Sequence, residues 1–213
     1  MTTERSSALL GFPPVLDACC GPRMMWFDKT DGRAVFYDER DVDIETAPNA
    51  AYANGKTFRI RPTVKGSFVD MPFDDETFFH VVFDPPHLLA IDDPRALMRV
   101  QYGQLFPGWQ DMIRQGFAEC FRVLKPGGTL IFKWCEIDVL VSEVLALTPA
   151  KPLYGHRSGK SSKTHWIAFL KPNEKGQRCA PLNATICLRR NGRIRCTAWL
   201  ARPVFCVRKT NLK

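Results

Sequence analysis

His80-Val81-Val82-Phe83-Asp84-Pro85-Pro86-His87 is an apolar run that stops on an acid and two prolines. Such a run, bounded by turn residues, reads as a strand buried inside a sheet. Proline has no N–H for a β-ladder, so the strand ends at Phe83. Beyond it comes a stiff polar lip, the Asp84 carboxylate beside the Pro85 carbonyl.

The same punctuation recurs along the chain. Phe12 to Asp17 reads as a first strand entering a turn at Ala18-Cys19-Cys20-Gly21, with a short helix expected from Arg23 to Thr30. Ala34 to Asp38 is a second strand. Residues 40–56 read as polar and irregular, Thr57 to Val64 as a strand or hairpin edge, and Gly66 to Asp70 as the approach to another strand end. Residues 88–106 carry scattered Pro and Gly and read as a mobile loop over the site. Trp109, Met112, Ile113, Phe117, Cys120, Phe121 and Leu124 share one helical face, and Lys125-Pro126-Gly127-Gly128 is the expected stop. Thr129 to Trp134 reads as a buried strand and Asp138 to Leu147 as a helix; Tyr154 to His156 and Thr164 to Leu170 form an antiparallel closing pair. Strands alternating with helices predict a doubly wound, mostly parallel α/β sheet with one antiparallel edge. In such sheets ligands bind beyond the carboxyl ends of the strands. Asp17, Gly21, Asp38, Asp70 and Asp84 all fall at those ends, so they are expected on one rim.

The chain has 213 residues and an apolar content of 45%, which suits one domain with a small appendage. No run of 18 apolar residues suggests a membrane span, and no signal peptide is read at the N-terminus. The eight cysteines are therefore expected as reduced thiols of a cytoplasmic protein. Charge is uneven. Residues 174–213 hold ten Lys/Arg and one acid, a net of +9 against +8 for the whole chain, so residues 1–173 sum to −1. A domain over 1–172 and a basic extension over 173–213 are the expected organisation. The extension has Asn191-Gly192 between two alternating segments, a strong hairpin signal, and Pro203 to Arg208 as a candidate third strand. Cys179, Cys187, Cys196 and Cys206 are spaced by 8, 9 and 10 residues, which fits no usual zinc site, and no metal is expected. A basic tail on a nearly neutral body predicts a polyanionic partner.

The turn after the first strand has one glycine, whereas a pyrophosphate wants several bare backbone amides, so NAD and FAD are disfavoured. Asp38 lies 21 residues after Asp17, near the spacing at which an acid meets ribose hydroxyls. Three ordered segments, Val15-Leu16-Asp17-Ala18-Cys19-Cys20-Gly21, Asp70-Met71-Pro72-Phe73 with Phe79 to Phe83, and Arg122 to Gly128, resemble the class I S-adenosylmethionine (SAM)-dependent methyltransferases over residues 12–171. The resemblance implies a Rossmann-like, seven-stranded sheet and SAM as cofactor. It implies that Asp17, Ala18, Cys19, Cys20 and Gly21 bind the cofactor, with Asp17 and Gly21 at the methionine end. It assigns Asp38 to the ribose and Asp70 with Met71 to the adenine, and Asp84 also to the cofactor site. Cys19 departs from the pattern by standing for the first glycine of the turn.

Asp84-Pro85-Pro86-His87 resembles the Asp-Pro-Pro-aromatic tetrad of amino-methyltransferases acting on DNA and RNA, with His87 in place of the aromatic ring that stacks on the base. An exocyclic amine is a poor nucleophile because its lone pair is delocalised. Acceptors at Asp84 and Pro85 let the nitrogen pyramidalise, and the prolines preorganise them. The overall pattern, including Phe27-Asp28-Lys29 and Gly155-His156-Arg157-Ser158-Gly159-Lys160, also resembles that of small prophage-borne methyltransferases generally described as DNA-modifying. For a nucleic-acid backbone the candidates are His156, Arg157, Lys160 and Lys163 in one loop and Arg189, Arg190, Arg193 and Arg195 in the tail. The expected activity is methyl transfer to an exocyclic amino group of a nucleobase, foremost adenine N6 in DNA. The alternatives are RNA, a small molecule, a protein side chain, or a non-catalytic binding module.

Overall fold

In a computed structural model the chain divides into two compact units, Met1–Pro172 and Asn173–Lys213. The structure describes residues 13–89, 92–159 and 162–173, and the backbone of 186–190 and 193–197.

The first unit is built on β1 (Val15–Asp17), β2 (Ala34–Asp38), β3 (Val42–Glu45), β4 (Thr57–Ile60), β5 (Val64–Lys65), β6 (Phe78–Phe83), α1 (Leu97–Tyr102), α2 (Trp109–Val123), β7 (Leu124–Cys135), α3 (Val141–Leu145), β8 (Tyr154–Arg157) and β9 (Thr164–Leu170). Seven of the strands form one sheet in the order β5-β2-β1-β6-β7-β9-β8. The pairs from β5 to β7 are parallel, while β9 runs antiparallel to both β7 and β8. This is the mostly parallel seven-stranded sheet with an antiparallel edge expected from the sequence. β1 pairs with both β2 and β6, so the chain order reverses there and a crevice opens beyond the strand ends.

α2 covers one face. Ile113, Gly116, Phe117, Cys120 and Val123 are its buried positions. They meet Phe83, Phe132 and Phe169, whose rings lie 5.4, 4.8 and 6.1 Å from Phe117. The alternation along β7 puts Leu130, Phe132 and Trp134 into this core and leaves Ile131, Lys133 and Cys135 on the other side.

Several local expectations differ. Residues 23–30 form turns, not a helix: Arg23 takes a φ of 55°, which a helix cannot pass, and its guanidinium lies 3.7 Å over the Phe36 ring. Residues 42–45 are a strand, paired with β4 in a separate two-stranded sheet. Val42 and Ile44 supply an alternation too short to read through the surrounding acids. Lys125 to Gly128 belong to β7, which begins directly after α2. The helix read over 138–147 is only five residues, α3. The loop read over 88–106 contains α1.

In the second unit, β10 (Ile186–Arg190) and β11 (Arg193–Thr197) pair antiparallel, with Arg190 opposite Arg193. The third strand read at 203–208, the turn at 191–192 and Lys160 lie outside the described residues.

Candidate functional site

The turn after β1 is hung between neighbouring strands: Ala18 N–H donates to the Val82 carbonyl and Cys20 N–H to that of Tyr37, both at 2.9 Å. That forces Gly21 to a φ of +47°, and a Cβ there would lie 2.9 Å from the Gln101 carbonyl oxygen. The turn therefore forms one wall of a 260 Å³ cavity at the strand ends. Ala18, Cys19, Cys20 and Gly21 line it, with Asp38 and Arg40 after β2, Gly66 and Phe68 after β5, and Asp84 and Pro86 after β6. Val100, Tyr102 and Phe106 close it from the segment around α1, and Lys133 reaches in from β7.

Of the four expected acids, Asp38 and Asp84 reach the wall. Asp38 accepts the Gly21 N–H at 2.8 Å and is clamped by Arg40, whose Nε lies 3.0 Å from Oδ1 and whose Nη1 reaches the Val100 carbonyl at 3.3 Å. Asp17 lies behind the turn, fully buried, and takes the Trp26 Nε1–H at 2.6 Å while its Oδ1 has no partner among the described residues. Burial pushes its carboxyl up to about 7, opposed by the Trp26 hydrogen bond. The two thiols beside it are raised as well by burial, Cys20 to about 12 and Cys19 well above its usual range.

Asp70 and Met71 are not brought to the cavity. Asp70 is exposed, and Met71 is buried against α2, its N–H held by Glu119 at 2.7 Å and its carbonyl by Arg122 at 2.9 Å. Arg122 staples the same loop through the Phe73 carbonyl and Asp75. Gly66 and Phe68, a few residues earlier, take the wall position instead.

Asp84 is buried. Lys133 Nζ donates to its Oδ2 at 2.6 Å, and its Oδ1 has no partner among the described residues. Burial raises the Asp84 carboxyl, and the Lys133 ammonium opposes this. Lys133 is pulled down by burial but raised overall by the Asp84 charge and hydrogen bond. His87 is only 3% exposed. Its ring packs 5.1 Å from Tyr102 and 6.2 Å from Trp134, so the ring expected to stack on a base is instead part of the wall's support. Burial, then the Lys133 charge, lowers it to about 4, so it is neutral at pH 7. Tyr102 lines the cavity, as do Phe68 and Phe106, and its ring centre lies 4.7 Å from Lys133 Nζ.

The basic candidates fall in both units. His156 and Arg157 are exposed on β8, with the Arg157 guanidinium 2.5 Å from Glu136, whose Oε1 also lies 2.9 Å from His165 Nε2. Lys163 is exposed, and its carbonyl takes the Glu136 N–H at 2.9 Å. Arg189 and Arg190 lie on β10, Arg193 and Arg195 on β11.

Sequence reading missed Lys133, Tyr102 and Arg40. Lys133 had a visible signal: a charge inside Leu130-Ile131-Phe132-Lys133-Trp134, an otherwise apolar strand.

The raised Asp17 carboxyl has a consequence for stability. A folded-state value near 7 against an ordinary 3.8 means the folded chain holds its proton more tightly than the unfolded chain. Stability from this group is therefore greatest below about pH 4 and is lost as pH rises to about 7. Urea midpoints should fall between pH 5 and pH 8, and Asp17→Asn should flatten that fall by an amount on the order of a few kcal/mol.

No protein-family model matches the chain, and no curated protein matches it. Among solved structures it is similar to a protein from Pyrococcus horikoshii, at 16% identity over 75% of this chain and 81% of that one, with a TM-score of 0.45. A TehB-like SAM-dependent methyltransferase from Corynebacterium glutamicum is similar at 13% identity over 74% and 79%, with a TM-score of 0.43. A SAM-dependent methyltransferase from Methanosarcina mazei is similar at 15% identity over 75% and 92%, with a TM-score of 0.42.

Proposed function

We propose that the chain transfers a methyl group from SAM to an exocyclic amino group of a nucleobase, foremost adenine N6 in DNA. The observation behind this reading is Asp84, a residue of the cavity wall at the sheet's switch point whose buried Oδ1 has no partner among the described residues. A buried acceptor left unsatisfied is costly, so it implies a donor brought by a ligand.

The residues fit the cofactor. Gly21 allows close approach at the turn, Asp38 offers a carboxylate to ribose hydroxyls in exchange for Arg40, and Phe68, Met24 and Met25 supply apolar surface for a purine. SAM contributes a sulfonium-activated methyl group. Asp84 Oδ1 would take one amine N–H and so help free the nitrogen lone pair; Pro85, whose carbonyl the sequence offers as the second acceptor, is not among the residues that line the cavity. With SAM bound, that lone pair would accept the methyl group from the sulfonium, the sulfur would keep the bonding electrons, and the surplus proton of the methylated amine would leave to water. Alignment of the amine with the methyl supplies much of the remaining rate.

Calorimetric titration with SAM and with S-adenosylhomocysteine tests the cofactor half. One site per chain is expected for each, and no heat from either contradicts it.

The basic tail is assigned to the phosphate backbone. Four arginines contacting a single strand contribute about 3 to the slope of log K against log salt, at about 0.7 per phosphate. Replacing Arg189, Arg190, Arg193 and Arg195 together by alanine in the full chain should remove about that much slope. An unchanged slope contradicts the assignment.

A further inference from the structure

Lys133 Nζ sits in a small box of its own. It is 2.6 Å from Asp84 Oδ2, 4.7 Å from the centre of the Tyr102 ring and 5.7 Å from that of Trp166. A carboxylate and aromatic faces are the chemistry that recognises an alkylammonium ion. Here the cation is supplied by the chain itself, and both partners are largely out of water, Asp84 with 6% and Lys133 with 14% of the side chain exposed.

We propose, on the reading of function above, that Lys133 is a positioning residue that sets acceptor specificity: by filling the cation place it leaves only Asp84 Oδ1 open, so the site takes neutral amino groups and rejects alkylammonium acceptors. The nucleobase amine is uncharged at neutral pH and brings the N–H that Oδ1 lacks. A lysine side chain or an aliphatic diamine arrives protonated, beside an ammonium already in place, and like charges at close range in a dry site repel. Lys133 also fixes the state of its partner. Without a cation 2.6 Å away, burial would protonate Asp84, and a protonated carboxyl no longer offers two accepting oxygens.

The groups around Asp84 are Lys133 from β7, His87 from its own loop, Asp17 and Cys19 from the end of β1, and Tyr102 from α1. Asp38, Glu39, Arg40 and Arg99 line the same cavity. His87 is neutral across the working range, and Lys133 is the cation that bonds Asp84.

The test compares wild type, Lys133→Met and Lys133→Arg with labelled SAM, using a single-stranded oligonucleotide or a lysine-rich peptide as acceptor. Wild type should label the oligonucleotide and not the peptide. Lys133→Met should lose at least about tenfold on the oligonucleotide at pH 7, recover as pH rises, and gain label on the peptide; each tenfold corresponds to about 1.4 kcal/mol. Lys133→Arg should restore most oligonucleotide activity with the wild-type pH profile, since it keeps the charge. Cofactor affinity measured by calorimetry should change little in either. A carboxyl NMR titration of Asp84 in the ligand-free chain provides a readout apart from activity: its midpoint should be higher in Lys133→Met than in wild type. The proposal is overturned by a methionine variant with wild-type rate and pH profile, or by equal labelling of peptide and oligonucleotide in wild type. A wild type that binds SAM but labels no nucleic acid contradicts the functional reading instead. In that case an unmoved Asp84 midpoint in Lys133→Met also overturns the role of Lys133.

Discussion

Asp84→Ala should lower methyl transfer by about a thousandfold while SAM binding stays within a few-fold. Removing a preorganised hydrogen-bonding partner at a reacting centre costs about 10²–10³ in rate. Asp84 is a residue of the wall whose buried Oδ1 has no partner among the described residues, whereas Asp38, another acid there, is already occupied by Gly21 and Arg40. The variant has a second consequence. It strands the Lys133 ammonium in a largely dry place, and breaking one side of a buried pair destabilises by about 3–5 kcal/mol. Asp84→Ala with Lys133→Met removes that unpaired charge. The double variant should regain stability in urea unfolding and remain inactive, which separates chemistry from folding.

Phe83→Ala should have a comparably large effect on stability. Phe83 is fully buried, with ring centres of Phe68, Phe117 and Phe132 at 5.3, 5.4 and 5.8 Å. Gly116 on α2 leaves room for this ring, since a Cβ there would fall 2.7 Å from Phe83 Cζ and 2.8 Å from Phe68 Cδ2. Alanine would leave a cavity among these rings, and losses of about 3–5 kcal/mol are typical of such truncations. For a domain of this size that is a fall in melting temperature on the order of 10 °C, at about 2–4 °C per kcal/mol. Asp84 is the next residue, so the carboxylate loses its anchor too. The variant should show a raised KM for the acceptor even at temperatures where it is folded. A melting temperature within about 2 °C of wild type would show that the aromatic cluster does not hold this strand.

The parts of the fold that were legible in the sequence are those whose signal is local. A buried strand ending on an acid is readable at Asp17, Asp38 and Asp84, because the apolar run and the punctuation occupy adjacent residues. The α2 face is readable because its period is unbroken along the helix. What escaped depends on contacts between distant segments. The stretch 23–30 has helix-forming residues, yet Trp26 turns inward to Asp17 and Arg23 lies on Phe36, and neither partner is visible locally. Asp70 and Met71 have the right order, but Arg122 and Glu119, some fifty residues on, draw that loop to α2 and leave Gly66 and Phe68 at the cavity. His87 sits in the motif position of a stacking ring, and the packing of Tyr102 and Trp134 buries it. Lys133 was the one missed residue with a readable trace, a charge in an apolar strand whose counter-ion, Asp84, lies on the neighbouring strand's end.

The central claim is methyl transfer to a nucleobase amine. Labelled SAM should be offered to unmodified double-stranded DNA, single-stranded DNA and ribosomal RNA, and the products digested and separated as nucleosides. Label is expected in N6-methyladenosine or N4-methylcytosine, foremost the deoxy form of the former, and none when Asp84 is alanine. Cofactor bound by calorimetry with no label in any polymer would contradict it.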